Sequence, residues 1–218
     1  MVDWEDRAER ARARFEDGEA RLPDDGHERQ RQLTRMGNAA WAAGLSLRML
    51  GRHEDADEWL RRAAETYRRS WPGAPPGSWG RPIGAMKSRL IAGDLDGASA
   101  DAEWALAVGA DASESPIGRY AAALAHLVRG EDATAATLAG SLVGEEAIPP
   151  SVARALLALA TGDAAAYEGA VRELVADFES RSEFLEDVPV ADTVLALQAL
   201  ATARGISVRL DSSMLPSR

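Results

Sequence analysis

A chain of 218 residues with a hydrophobic fraction of 46%, much of it alanine, is long and apolar enough to bury a core and favours helices over sheets. The absence of cysteine excludes disulfides, thiolate catalysis, iron–sulfur clusters and cysteine-based zinc sites. A net charge of −10 would repel nucleic acid and anionic lipid, so neither is expected as a partner. No stretch approaches the roughly 18 apolar residues of a membrane helix, and the charged N-terminus lacks the core of a signal peptide. A cytoplasmic location is therefore expected.

The charged residues are unusual in kind, because Lys87 is the only lysine and almost every other cation is arginine. Many carboxylates, almost no lysine and abundant alanine resemble the proteins of salt-loving archaea or high-GC bacteria. This composition predicts an acidic, well-hydrated surface that stays soluble in concentrated salt. An ordinary acidic mesophilic protein remains the alternative.

The chain begins with a highly charged segment, residues 3–22, whose apolar positions follow one helical face. We expect a capping helix, since the end units of a helical array differ from the inner ones. A turn at residues 23–26 separates it from the rest.

Helical runs that end in glycine follow one another from residue 27 to residue 205. A glycine at such a point adopts the left-handed conformation that ends a helix and turns the chain. The spacing of the glycines brackets the periods of tetratricopeptide (about 34 residues) and HEAT or armadillo repeats (about 40–47). The closing glycines are Gly51, Gly93, Gly130, Gly162 and Gly205.

A second helix follows each of the first four glycines, after an acidic turn that caps it. Its apolar residues recur at i, i+3, i+4 and i+7. Two examples are Ala56, Trp59, Leu60, Ala63 and Tyr67, and Tyr167, Ala170, Val171, Leu174 and Phe178. These patterns predict a single all-α domain, 1–218, an α-α superhelix of about four to five antiparallel hairpins with an extended tail at 206–218.

The segment AGDLDGASADAEWAL, residues 92–106, resembles the turn and second helix of a tetratricopeptide unit. The resemblance covers roughly residues 31–180. It implies a non-enzymatic helical-repeat scaffold whose first helices line a groove that binds another protein.

The last third of the chain, roughly residues 160–216, resembles the C-terminal part of one group of helical polymorphic-toxin immunity proteins. It has their order of an aspartate, a helix, an apolar helix, Arg-Gly and a Ser-x-x-Leu-Pro ending. The matching positions are Asp163, Arg204, Gly205, Ser212, Leu215 and Pro216. This resemblance implies a cytoplasmic protein that binds and neutralises a cognate toxin, without catalysis.

Four basic residues on the predicted first helices share one helical face. Counted back from the closing glycines, they lie at offsets of 4, 8 and 11. They are Arg89, Arg119, His126 and Arg154. Stacked helices would align them in a groove, with Arg81 and Lys87 nearby, and arginines recognise carboxylates bidentately. An acidic peptide segment or a terminal carboxylate of another protein is the expected ligand; the alternative is internal pairing with the Asp and Glu of the second helices.

Trp71 and Trp79 flank a Pro/Gly-rich segment, residues 71–82, which we predict to be non-helical. Such a loop either folds over the edge of the groove or serves as a recognition loop. Trp41, Trp59 and Trp104 occupy helical apolar positions and are expected to pack between helices.

The sequence contains no recognisable catalytic motif, and no cofactor or metal is expected. The sequence Asp94-Leu95-Asp96-Gly97 begins like a calcium loop but lacks the remaining ligands, so we interpret it as a turn cap. A third possible function is an enzyme with an acid/base pair in a helical cavity. It would need inward-facing carboxylates on the first helices, and Asp192 is the visible one.

Overall fold

The computed structural model describes residues 2–24 and 26–217, and these residues form ten α-helices and no strand. The helices are α1 (Trp4–Ala20), α2 (Gly26–Met49), α3 (His53–Arg69), α4 (Gly80–Ile91), α5 (Leu95–Ala107), α6 (Pro116–Val128), α7 (Asp132–Ser141), α8 (Pro150–Thr161), α9 (Ala164–Glu179) and α10 (Asp192–Ala203). Neighbouring helices pack in chain order from α1 to α9, as in a superhelical repeat. The all-α prediction is confirmed, whereas antiparallel pairing within each hairpin stays a prediction.

The glycines predicted to end helices do so in the structure, and two of the predicted caps are present. All five closing glycines have a positive φ, between 69° and 74°. Beyond two of these turns an aspartate caps the next helix: Asp94 accepts a hydrogen bond from the Gly97 amide, and Asp163 accepts one from Ala166, both at 2.9 Å. The apolar faces predicted for α3 and α9 are buried.

Two predicted boundaries were wrong by a few residues. The capping helix ends at Ala20 rather than at residue 22, and Asp3 is its N-cap. The non-helical segment after Trp71 ends earlier than predicted, because α4 starts at Gly80 and includes Pro82. Proline is tolerated in the first helical turn, where its missing N–H has no intrahelical partner.

The last helix does not continue the stack. The first helices of successive hairpins touch one another, α4 against α6 and α6 against α8. Helix α10 packs mainly on α4 and also touches α8, so it lies on the layer that these first helices form. The buried residues Val194, Leu197 and Leu200 of α10 belong to the same continuous core as the hairpins. Helix α10 therefore covers part of the face that the first helices form.

The segment that leads into α10 packs against the first two helices. Residues 185–187 form a short 3₁₀ turn that touches α2. Two arginines of α1 hold it: Arg7 donates to the carbonyl of Asp187, and Arg14 pairs with Glu186. After α10, residues 206–217 are non-helical, as predicted, and Gln198 binds the Val208 carbonyl at 2.9 Å.

Candidate functional site

One arginine of the predicted groove, Arg89, is engaged inside the domain. The guanidinium of Arg89 lies 2.8 Å from Asp94 and 3.4 Å from Asp101, and its side chain is only 16% exposed. Asp101 belongs to α5, the second helix of the same hairpin, and also meets Arg68. Burial raises the pKa of Asp101 in spite of these two arginines, which act in the opposite direction.

The other three predicted cations also have carboxylate partners. Arg119 pairs with Glu145 and donates to the Ser141 carbonyl at 3.1 Å. Arg154 pairs with Glu173 on the surface, where both side chains are about half exposed. The ring of His126 lies between Asp111, at 2.8 Å, and Glu131. The four residues thus take the alternative that the sequence left open, internal pairing, and α10 covers part of the face on which a groove was expected.

The tryptophans at the Pro/Gly segment pack against each other. The ring centroids of Trp71 and Trp79 are 5.6 Å apart, and Trp71 meets the edge of Trp104 at 5.8 Å. Trp79 is 9% exposed. This three-ring cluster fixes the loop to α5, so the loop is anchored rather than extended from the surface.

A pocket of about 430 Å³ opens where α2, α4 and the start of α10 meet. We call it the inner pocket. Its wall contains Asn38, Trp41, Tyr67, Arg81, Lys87 and Asp192, with Leu185 at the rim. Apolar walls with a few convergent polar groups are typical of ligand sites.

Arg81 is the one predicted site residue whose charge has no acidic partner in the described parts of the chain. It is 8% exposed, and its two terminal nitrogens donate to neutral acceptors, the Ser70 carbonyl and Gln30. Burial lowers the pKa of this guanidinium. The first turn of α4, which carries Arg81, contains no acidic residue. A buried cation at the positive end of a helix is stabilised by an anion.

Lys87 faces the same pocket, paired with Asp192 at 2.5 Å and donating to Thr193 at 2.8 Å. Tyr67 donates to Asn38 at 2.9 Å. Burial, with a further contribution from the charge of Asp192, raises the pKa of both Tyr67 and Tyr120 far above the usual range. Both phenols therefore stay neutral well into the alkaline range.

Two helix glycines let the Tyr67 ring reach this position. A Cβ atom at Gly37 of α2 would lie 2.8 Å from the ring, and one at Gly84 of α4 would lie 2.9 Å from it. The ring therefore fits between α2 and α4, because neither helix has a side chain at the point of contact.

Sequence reasoning found Arg81 but missed the pocket around it. Two signals pointed there: the only lysine of the chain, and Asp192 as the exceptional acid on a first helix. Lys87 and Asp192 are distant in sequence, so only the packing of α10 on α4 reveals that they meet.

Comparison of the chain with protein-family models, with curated proteins and with solved structures finds no match. Within the described ranges no helix combines the length and apolarity that crossing a bilayer requires. The same ranges contain no cluster of three His, Asp or Glu side chains able to hold a metal ion.

Proposed function

We propose that this protein is a non-enzymatic helical-repeat scaffold that binds an acidic segment of another protein at the inner pocket. The observation that carries the proposal is Arg81, a buried residue of the pocket wall whose guanidinium has no carboxylate beside it among the described residues. A ligand carboxylate would compensate this charge and add charge-assisted hydrogen bonds. The proposed binding site is therefore the inner pocket, and not the groove lined by Arg89, Arg119 and Arg154 that the sequence predicts.

The other residues of the pocket wall favour peptide binding over catalysis. Asp192 is the single carboxylate in the pocket wall, and it is tied to Lys87. An acid/base pair of two carboxylates would need a second acid beside it, and the described residues of this wall include none. Trp41, Tyr67 and Ile83 instead provide apolar surface next to the cations.

The experiment is affinity capture from source-cell lysate, followed by mass spectrometry. The bait is compared with Arg81→Gln, with Asn38→Asp and, as a control, with Arg154→Gln, which alters a half-exposed ion pair elsewhere. Asn38→Asp is nearly isosteric, keeps the acceptor for Tyr67 and puts a negative charge into the pocket. Loss of a charged hydrogen bond should weaken binding about 10- to 100-fold. A partner lost by both pocket variants and kept by the control supports the proposal; a partner kept by all variants contradicts it.

A toxin-neutralising immunity protein is the second candidate. The observation that favours it is the outward placement of negative charge: Arg89, Arg119, His126 and Arg154 are used in internal pairs, while Glu9, Glu54 and Glu114 are exposed. Such a surface would attract a basic toxin domain. Co-expression with a toxin encoded beside the gene tests it. Protection that survives Asn38→Asp would assign neutralisation to the outer surface rather than to the pocket.

A further inference from the structure

The rim of the inner pocket carries an apolar side chain that the fold itself does not cover. Leu185 is 53% exposed, and the other large exposed hydrophobic residues in the described chain are Leu50, Leu95 and Val143. Of these four, Leu185 is the one that lines the inner pocket. A single exposed leucine needs no explanation on a surface, but one beside a buried cation in a concave site does.

The turn that presents Leu185 is held in a strained conformation. Glu186 and Asp187, neither of them glycine, have φ values of 55° and 57°. Such left-handed conformations persist in non-glycine residues when the surroundings impose them, and they concentrate at functional sites. Here the surroundings are α1 and the turn's own backbone: Arg7 binds the Asp187 carbonyl, Arg14 pairs with Glu186, and the Val188 amide donates to the Leu185 carbonyl at 3.1 Å.

The pocket thus offers two chemically different contacts. Inside, Arg81 has no carboxylate beside it in the described chain, and Trp41, Tyr67 and Ile83 belong to the same wall. At the rim, Leu185 offers apolar area that remains in water until something covers it.

We infer that the inner pocket reads a two-part ligand, an acidic residue together with a neighbouring large apolar residue of one peptide. The carboxylate compensates Arg81, and the apolar side chain covers Leu185. This inference rests on the proposed function, and it adds the chemical class of the peptide.

The expected size of the apolar contribution is modest. Covering the exposed half of a leucine side chain should tighten binding roughly five- to tenfold. Leu185→Ser should remove this gain and leave the fold intact, because the Leu185 side chain is largely exposed and does not belong to the buried core. Leu95→Ser is the matched control, since Leu95 is 49% exposed and lies outside the inner pocket.

The test is selection of a random heptapeptide library on the immobilised full chain, at a salt concentration that suppresses non-specific attraction to its acidic surface. We expect enrichment of peptides that pair Asp or Glu with an adjacent Leu, Ile or Phe. On Leu185→Ser the apolar preference should disappear while the acidic preference persists, and on Leu95→Ser both should persist. A selected peptide should then bind Leu185→Ser five- to tenfold more weakly than it binds the unchanged protein.

The outcomes separate the two proposals. Enrichment of acidic peptides without an apolar preference, or a preference that survives Leu185→Ser, overturns the two-part ligand and leaves the proposed function standing. If acidic peptides are not enriched, or are enriched equally on Asn38→Asp, both the proposed site and the two-part ligand are wrong.

Discussion

The ammonium group of Lys87 lies 2.5 Å from the carboxylate of Asp192, and both side chains are nearly nine-tenths buried. This pair joins the only lysine of the sequence to the one carboxylate in the wall of the inner pocket. It links α4 to the first residue of α10, so the wall of the pocket and the placement of the last helix depend on the same contact.

Replacing Asp192 with Asn should therefore destabilise the protein. The change leaves a buried ammonium without its counter-charge, which costs about 3–5 kcal/mol when one partner of a buried pair is removed. Urea unfolding measures the loss. Glu173→Gln is the control, because its pair with Arg154 is half exposed and should contribute less than about 1 kcal/mol. Equal effects of the two changes would mean that the Lys87–Asp192 pair is hydrated in solution.

Replacing Gly37 or Gly84 with alanine should destabilise the protein, although alanine is the better helix former. In a helix interior the exchange normally gains about 1 kcal/mol. At these positions the new methyl group would meet the Tyr67 ring at 2.8 and 2.9 Å, and such overpacking costs about 1–3 kcal/mol. Thermal unfolding of both variants measures the net effect. Gly169→Ala, with open space around it in α9, should raise the unfolding temperature instead. If all three raise it, the ring does not fit tightly between α2 and α4.

The raised pKa of Asp101 should make the free energy of unfolding depend on pH. Burial raises its pKa in the folded protein above the ordinary value of 3.8, so the folded state binds a proton more tightly than the unfolded state does. The contribution of this group to stability is then complete below 3.8 and declines as the pH rises through the folded pKa. Urea unfolding of the protein and of Asp101→Asn across this range tests the sign. The free-energy advantage of the unchanged protein over the variant should shrink with rising pH. An advantage that grows would mean that Arg89 and Arg68 outweigh the cost of burial.

Trp71→Ala distinguishes a structural tryptophan from a recognition residue. Trp71 contacts the rings of both Trp79 and Trp104, and its partial burial predicts a loss of about 2–3 kcal/mol, at the lower end for a large-to-small change. Near-ultraviolet circular dichroism should lose part of its aromatic signal. An unchanged unfolding temperature combined with loss of a captured partner would instead assign Trp71 to recognition.

The helices of the hairpins could be predicted because their signals are local. Gly162 and Asp163 illustrate this: one ends α8 in the left-handed conformation, and the other caps α9, each acting within a few residues. Amphipathic spacing then identified the buried face of α9. None of these features required knowledge of distant parts of the chain.

The site could be predicted only in part because ion pairing depends on tertiary neighbours. The spacing placed Arg89 and Arg154 on first helices, but Asp101 and Glu173 on the second helices lie within their reach. The position of α10 was missed for a related reason. Its sequence is apolar on most faces, which indicates burial without saying against which helix. Arg81 differs from these arginines, because no acidic residue of the described chain pairs with its guanidinium.

The packing of α10 on α4 also has a consequence for the order in which the protein is made. Helix α4 leaves the ribosome well before residues 192–203 do, so until then a nascent chain exposes to water the face of α4 that α10 covers. In an ordinary repeat array each unit contacts only its neighbours in the chain, so no unit waits for a distant segment to cover it. This chain instead leaves that face of α4 uncovered until α10 is made, and a copy shortened before Asp192 would present the apolar surface to chaperones and proteases.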